Sequence, residues 1–248
     1  LKYYTNNLFS LTNLLNELKN LNKEINFIFS SSATVYGDPK TLPITESEPI
    51  KKAESPYGNT KQIGEEIIKD LVNSSFNFKA ISLRYFNPIG AHPSALIGEL
   101  PIGIPQNLVP YITQTAIGKR NELTVFGDNY LTRDGSCIRD YIHVVDLAKA
   151  HIKSLEKLIK ESSKNYYDAF NIGTGKGTSV LELISCFESV SGKKLNFRIG
   201  ERRKGDIAKC FADVSKANEL LNWKSKHSIE DALLSSWNWE KHIKNEKL

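Results

Sequence analysis

Tyr57 and Lys61, a tyrosine and a lysine four residues apart, have the chemistry and the spacing for proton transfer. Ser55 is a residue type typical of helix N-caps and Pro56 suits the first helical position, so the pair is predicted to lie on one helix, with Cβ atoms about 5–6 Å apart. A free phenol ionises near pH 10, and a nearby cation lowers its pKa by about 1–3 units. The pair therefore predicts a general acid–base tyrosine that exchanges protons with a hydroxyl group near neutral pH.

The spacing alone is a weak signal in a chain that contains 10 tyrosines and many lysines. A second pair, Tyr36 and Lys40, is interrupted by Gly37 and Pro39, which exclude a helix at that point. The Tyr57 pair gains support from a run of serines upstream that ends at Ser32 and follows a predicted strand.

Apolar periodicity predicts an alternation of helices and strands. Helices are predicted over residues 1–21, 61–71, 107–117, 144–159, 179–190, 215–221 and 228–243. Strands are predicted over residues 25–29, 79–86, 123–126, 169–172 and 196–199, with irregular segments over 37–56 and 90–103. This order is typical of an α/β protein with a parallel sheet and crossover helices. Ligands of such sheets bind beyond the carboxyl ends of the strands, where Ser32 and Asn87 are both expected.

Composition favours some classes of protein over others. With 248 residues, of which 40% are hydrophobic, the chain can form one large or two small domains. A net charge of only +5, with lysines spread along the chain, favours a solvated surface over a nucleic-acid interface. The three cysteines, Cys137, Cys186 and Cys210, lack the spacing of a disulfide framework or a metal site, so a reducing cytoplasmic location is predicted. No apolar run has the roughly 20 residues of a membrane span, so no membrane association is expected.

Six motifs, in this order, resemble those of the UDP-glucose 4-epimerases, which are extended short-chain dehydrogenases/reductases. They are SSSATVYG at 30–37, SPYGNTK at 55–61, LRYFNPIGAHP at 83–93, IPQNL at 104–108, RDYIHV at 139–144 and RKGD at 203–206. The resemblance implies a partial Rossmann-like, doubly wound parallel sheet with a smaller α/β substrate domain. Residues 1–88 are assigned to the NAD-binding domain and 89–248 to the UDP-sugar domain, with a segment near 140–175 expected to pack back on the first sheet.

The resemblance also implies a mechanism. Tightly bound NAD takes a hydride from C4 of a UDP-hexose while Tyr57 removes the proton of the 4-hydroxyl, and return of the hydride to the opposite face inverts the centre. Lys61 is expected to bind the nicotinamide ribose and Ser32 to relay the proton. Asn7 and Tyr85 match family positions that line the NAD site.

The glycine-rich dinucleotide loop of the family has no match in this sequence. The chain also contains no methionine and begins at Leu1. We therefore expect about 90 residues, or three strand–helix units of about 30 residues each, to precede it. The chain by itself is expected to be inactive, and the complete protein to be a homodimer.

A UDP-hexose substrate is expected to contact eight residues at matching family positions: Asn87, Asn107, Leu108, Phe126, Arg139, Arg203, Asp206 and Cys210. Guanidinium groups suit the pyrophosphate because they donate paired hydrogen bonds, and Asp206 suits the ribose hydroxyls. Leu108 and Phe126 are expected to flank the uracil. Because family members with a narrow sugar pocket have tyrosine where this chain has Cys210, UDP-GlcNAc and UDP-GalNAc are predicted as further substrates.

The sequence leaves two alternative functions open. Another nucleotide-sugar enzyme, such as a 4,6-dehydratase or a decarboxylase, would keep Tyr57 and Lys61, but a dehydratase needs an acidic residue where this chain has Ala33 and Thr34. A non-catalytic UDP-sugar-binding protein is the other. His143 is interpreted as a structural residue at the start of a helix.

Overall fold

The computed structural model describes residues 1–21, 23–74 and 77–246. These residues form two compact units, each made of three segments. Unit 1 comprises Leu1–Phe86, Lys149–Ile172 and Ala212–Lys224. Unit 2 comprises Asn87–Ala148, Gly173–Phe211 and the described chain from Ser225 onward.

The helices are α1 (Lys2–Tyr4), α2 (Ser10–Asn20), α3 (Pro56–Asn73), α4 (Leu108–Ala116), α5 (Val144–Lys160), α6 (Val180–Ser191), α7 (Ser215–Leu220) and α8 (Ile229–Glu246). A π-helical segment, Thr5–Phe9, joins α1 to α2, and a 3-10 turn, Ala33–Tyr36, follows the first strand. The strands are β1 (Ile25–Ser32), β2 (Phe78–Tyr85), β3 (Asn87–Ile89), β4 (Leu123–Phe126), β5 (Ile138–Arg139), β6 (Tyr141–His143), β7 (Tyr166–Ile172), β8 (Thr178–Ser179), β9 (Phe197–Gly200) and β10 (Lys209–Cys210).

Unit 1 is built on a parallel sheet of three strands in the order β1-β2-β7. The apolar faces of α2 and α3 form a core with β2, whose buried members are Leu11, Leu15, Ile68, Val72, Phe78 and Ala80. Helix α3 starts where Ser55 and Pro56 predict it, because the Ser55 hydroxyl accepts a hydrogen bond from Gly58 N at 3.1 Å. The prediction of an α/β fold with a parallel sheet is confirmed.

Unit 2 contains three small sheets: β10-β5-β8, β3-β6 and β4-β9. Its core lies among α4, α6 and α8, where the rings of Phe187 and Trp237 meet edge to face with centroids 5.8 Å apart. His143 has the predicted structural role, because its Nδ1 accepts a hydrogen bond from Val145 N at 3.0 Å in the first turn of α5.

Two sequence features differ in part from the prediction. Strand β1 runs to Ser32 instead of ending before the serines, so Ser30, Ser31 and Ser32 are strand residues with alternating orientations. Asn87 lies just beyond the end of β2 at Tyr85, as predicted, but it also begins a further strand, β3, where it pairs with Tyr141 of β6.

Within the described ranges, no helix combines the length and the apolar character needed to cross a membrane.

Candidate functional site

The site in unit 1 is assembled at the carboxyl ends of two adjacent strands and the amino-terminal turn of α3. Ser32 is the last residue of β1, Tyr85 the last of β2, and the two lie opposite each other in the sheet. Tyr57 is the second residue of α3, and the Ser32 side chain lies near enough to its phenol to lower the pKa of that phenol. Ser32 itself is buried, with 8% of its surface exposed, and its hydroxyl also accepts a hydrogen bond from Thr34 N at 3.2 Å. The structure therefore brings the predicted acid–base tyrosine and serine together.

Lys61 lies one turn along α3 from Tyr57. Its Nζ donates a hydrogen bond to the carbonyl of Ser30 at 2.7 Å and lies 5.5 Å from the centre of the Tyr57 ring. It is also 5.1 Å from the centre of the Phe29 ring. Burial against these rings lowers the pKa of Lys61.

The predicted lowering of the Tyr57 pKa by Lys61 is wrong for this structure. Burial of the phenol raises the pKa of Tyr57 and outweighs the hydrogen bond with Ser32, which lowers it; Tyr3 adds a smaller increase. The physical reason is that desolvation penalises the phenolate, while the Lys61 ammonium is directed at the Ser30 carbonyl.

Tyr85 is held by two partners. Its hydroxyl donates to Ser30 Oγ at 2.8 Å and lies 2.5 Å from Nε2 of His151 on α5. Burial raises the pKa of Tyr85 to about 12. The sequence carried no signal for His151, because only the packing of unit 1 brings this part of α5 to the end of β2.

Asn7 belongs to the π-helical segment Thr5–Phe9. Its Nδ2 donates to Thr60 Oγ1 at 2.9 Å, and Thr60 is the residue before Lys61. Such single π-helical turns occur frequently at functional positions. Asn7 is thereby tied to the same helix as Tyr57 and Lys61.

The donor set of unit 1 fits the ribose end of a dinucleotide. An ammonium group has three N–H donors, of which the Ser30 carbonyl takes one from Lys61. Tyr57 and Tyr85 add phenols beside it at the strand ends, where parallel sheets bind nucleotides. The sequence lacks the glycine-rich loop that binds a dinucleotide pyrophosphate, so these residues account for the ribose end alone.

A second group of predicted residues meets in unit 2. Arg139 of β5 is paired with Cys210 of β10, and its guanidinium lies 3.8 Å from Asp206 Oδ1. Arg139 also donates to the carbonyl of Ile207 at 2.6 Å, which fixes the direction of the guanidinium. Burial raises the pKa of Cys210 to about 11, so its thiol is neutral at physiological pH. The structure thus brings three of the eight predicted UDP-sugar residues together.

The other residues of the predicted UDP-sugar group make separate contacts in unit 2. The guanidinium of Arg203 lies 3.8 Å from the centre of the Phe126 ring. Asn107 donates from Nδ2 to Glu99 Oε1 at 2.7 Å, and Leu108 after it is the first residue of α4. Asn87 is exposed, and its backbone N–H donates to the carbonyl of Asp140 at 2.9 Å.

The described part of the chain contains no cluster of three or more His, Cys, Asp or Glu side chains that could hold a metal ion.

Comparison with known proteins identifies similar chains. A family model described as GDP-mannose 4,6 dehydratase matches residues 1–235. The UDP-glucose 4-epimerase of Drosophila melanogaster is 48% identical over 245 residues, which cover 99% of this chain and 69% of the relative. The crystal structure of the UDP-glucose 4-epimerase of Stenotrophomonas maltophila, with bound NAD and formylated UDP-arabinopyranose, aligns with a TM-score of 0.94 at 43% identity, over 99% of this chain and 72% of that one. The UDP-Glc/GlcNAc 4-epimerase of Campylobacter jejuni aligns with a TM-score of 0.76 at 36% identity, over 98% and 72% of the two chains.

Proposed function

The chain belongs to the UDP-glucose 4-epimerase family, and from this we propose that Tyr57, Ser32 and Lys61 carry out the reaction of that family. The reaction is the reversible inversion of C4 that interconverts UDP-glucose and UDP-galactose. The observation that carries the assignment is the placement of the Tyr57 phenol, in the first turn of α3, beside the Ser32 side chain at the carboxyl end of β1.

The chemistry requires the C4 carbon to lose a hydride and the 4-hydroxyl to lose a proton. NAD, when bound, supplies the hydride acceptor and returns the same hydride. Tyr57, as the phenolate, takes the O4 proton and returns it after the 4-keto sugar has presented its other face. Ser32 hydrogen-bonds both the phenol and the incoming hydroxyl, so it orients the proton transfer. Lys61 keeps an ammonium beside the Tyr57 ring and binds the ribose of the cofactor, as Asn7 and Tyr85 help to do.

Recognition of the UDP group is proposed for seven side chains of unit 2: Asn87, Asn107, Leu108, Phe126, Arg139, Arg203 and Asp206. Arg139 supports this role because its backbone-fixed guanidinium can donate paired hydrogen bonds to a pyrophosphate oxygen pair. Asp206 is an acceptor suited to ribose hydroxyls and lies beside Arg139.

A label at C4 of the substrate tests the reaction directly. UDP-galactose carrying deuterium at C4 is incubated with the natural protein and NAD, and the product is examined by NMR. The proposed reaction yields UDP-glucose with the deuterium retained at C4, because the hydride returns to the carbon it left. Exchange of the label with solvent contradicts the proposal.

The same label separates the epimerase from a 4,6-dehydratase. A dehydratase would deliver the deuterium to C6 and release water, and that step requires a general acid near the C6 hydroxyl. The residues after Ser32 are Ala33, which is buried, and Thr34, whose backbone N–H is bonded to Ser32. Neither supplies a carboxylic acid. A chain that only binds UDP-sugars would leave the substrate unchanged.

The substrate range is proposed to include UDP-GlcNAc and UDP-GalNAc. Cys210 is a small, uncharged residue paired with Arg139, and the similar enzyme from Campylobacter jejuni is described as acting on both Glc and GlcNAc derivatives. Cys210→Tyr is expected to lower the rate with UDP-GalNAc at least tenfold while the rate with UDP-galactose changes less than threefold. Equal rates of wild type and variant with UDP-GalNAc would leave Cys210 as a core residue without influence on the substrate.

Assembly as a homodimer and a location in the cytoplasm are further proposals, supported by membership of the family. Light scattering of the natural protein at micromolar concentration is expected to give twice the mass of one chain. A monomer mass would exclude the dimer.

A further inference from the structure

A buried ion pair lies beneath the acid–base residues of unit 1. Arg84 donates two parallel hydrogen bonds to the Glu65 carboxylate, from Nε to Oε1 at 2.9 Å and from Nη2 to Oε2 at 2.7 Å. The two side chains are 5% and 1% exposed. Ser31 Oγ donates to the same Oε1 at 2.6 Å. We call Ser31, Glu65 and Arg84 the buried triad.

The triad is extended by neutral partners. Arg84 Nη1 donates to the hydroxyl of Tyr36 at 2.9 Å, and that hydroxyl donates to Asn171 Oδ1 at 2.6 Å. Asn171 Nδ2 in turn donates to the carbonyl of Ile44 at 2.8 Å. Burial by itself would lower the pKa of Arg84, but the hydrogen bonds and charge of Glu65 outweigh it and raise that pKa. The guanidinium of Arg84 is therefore charged at physiological pH.

The triad members stand at fixed offsets from the proposed acid–base residues. Ser31 immediately precedes Ser32, and Arg84 immediately precedes Tyr85. In the sheet, Ser31, Arg84 and Asn171 form one row across the three strands. Glu65 lies four residues after Lys61 on α3, which places it one helical turn further along the same side of the helix.

A buried ion pair of this kind contributes little net free energy to the stability of the fold. Replacing one by well-packed apolar residues is often neutral or stabilising, because the desolvation of both charges offsets their attraction. What the pair does provide is geometry, since a bidentate arginine–carboxylate contact fixes both distance and angle. Displacement of a reacting group by about 1 Å can cost about 100-fold in rate.

We propose that the buried triad positions α3 against the ends of β1 and β2 so that the Tyr57 phenol stays beside the Ser32 hydroxyl. The inference rests on the proposed function of Tyr57. Glu65 and Arg84 are buried beneath the site, so they are positioning residues that act through Tyr57 and Ser32.

The test is the paired apolar replacement Glu65→Leu with Arg84→Met in the natural protein. It removes both charges together, so no unpaired charge is left in the core. We expect the melting temperature to change by a few degrees at most, the KM for UDP-galactose to stay within threefold, and kcat to fall at least tenfold. A folded double variant with kcat within twofold of wild type would show that the pair serves only the fold.

Tyr36→Phe provides a second measurement if the double variant fails to fold. It removes the single hydroxyl that joins Arg84 to Asn171 without changing the volume of the core. We expect kcat to fall about three- to tenfold with unchanged affinity for UDP. Tyr166→Phe is the matched control, because Tyr166 lies at the opposite end of the same sheet and bonds Asp168, at 3.2 Å. Equal kcat values for the two phenylalanine variants would overturn the proposal.

The kcat of Tyr57→Phe distinguishes failure of the positioning role of the buried triad from failure of the proposed function. If Tyr57→Phe loses its rate while the double variant and Tyr36→Phe keep theirs, only the positioning role fails. If Tyr57→Phe keeps its rate, the proposed function fails, and a positioning role toward Tyr57 fails with it.

Discussion

At the scale of single residues, the ionisation of Tyr57 is set by opposing effects that the sequence does not reveal. Loss of hydration raises its pKa, and the hydrogen bond with Ser32 acts in the other direction. The positions of Tyr57 and Lys61 could be predicted, because their helix is marked by Ser55 and Pro56. Their electrostatics could not, because burial by Tyr3 and Phe29 depends on segments far away in the chain.

Replacing Ser32 by alanine is predicted to move the pH dependence of the reaction. The change removes the interaction that lowers the Tyr57 pKa, so that pKa rises further and less phenolate is present at any pH below it. The rise of kcat/KM with pH, measured between pH 6 and 10, is expected to shift to higher pH, with a lower rate at pH 7.

Ser82→Ala is the matched control for this measurement. It removes a hydrogen bond of the same kind, which the hydroxyl of Tyr167 donates to Ser82 at 2.9 Å, from a buried serine of β2. The control is expected to leave the pH profile in place. A Ser32→Ala profile that coincides with wild type would contradict the account of the Tyr57 pKa.

At the scale of elements, α3 is the part of the fold that sequence reasoning predicts best. Its start follows from Ser55 and Pro56, and Ile68 of the predicted apolar residues is buried, together with Val72, which lies beyond the predicted end of the helix. The helix also passes close to β1, since a Cβ on Gly64 would lie 2.7 Å from Phe29 Cζ. Glycine at that position lets α3 approach the strand that carries Ser32.

The N-cap of α3 is predicted to contribute measurably to stability. Ser55→Ala removes the acceptor for Gly58 N and is expected to cost about 1 kcal/mol of unfolding free energy, measured by urea titration. Ser55→Asn, which retains a capping acceptor, is expected to stay within about 0.5 kcal/mol of wild type. If alanine and asparagine have the same effect, the hydroxyl does not cap the helix.

Five strands could not be predicted because they are too short. Strands β3, β5, β6, β8 and β10 have two or three residues each, too few to show a period of two. They exist because distant segments pair, as Asn87 does with Tyr141. The buried triad was missed for a similar reason, because a glutamate on a helix and an arginine on a strand give no sequence signal that they are neighbours.

At the scale of the whole molecule, the resemblance predicted the fold and a segment near 140–175 that packs back on the first sheet, but it gave no prediction for the segment Ala212–Lys224 of unit 1. Unit 1 takes up Lys149–Ile172 and Ala212–Lys224 in addition to the first segment. These join it because β7 pairs with β2, and Lys216 of α7 donates from Nζ to the carbonyl of Ala169 at 2.9 Å. Such choices of partner arise from packing between residues that lie 47 positions apart (Lys216 and Ala169) or 87 positions apart (Lys79 and Tyr166) in the chain. The motifs that predicted the site do not encode them.

The most direct test of the central claim is kcat for UDP-galactose with Tyr57→Phe in the natural protein. The variant keeps the ring and removes only the phenolic hydroxyl, which lies beside the Ser32 side chain. Tyr3→Phe is the control, since its ring lies 5.9 Å from that of Tyr57 and is half exposed. The account predicts a loss of about 10²–10⁴ in kcat for Tyr57→Phe, unchanged binding of UDP, and a rate near wild type for Tyr3→Phe. A Tyr57→Phe variant that retains more than about a tenth of the wild-type kcat would contradict the assignment of Tyr57 as the acid–base residue.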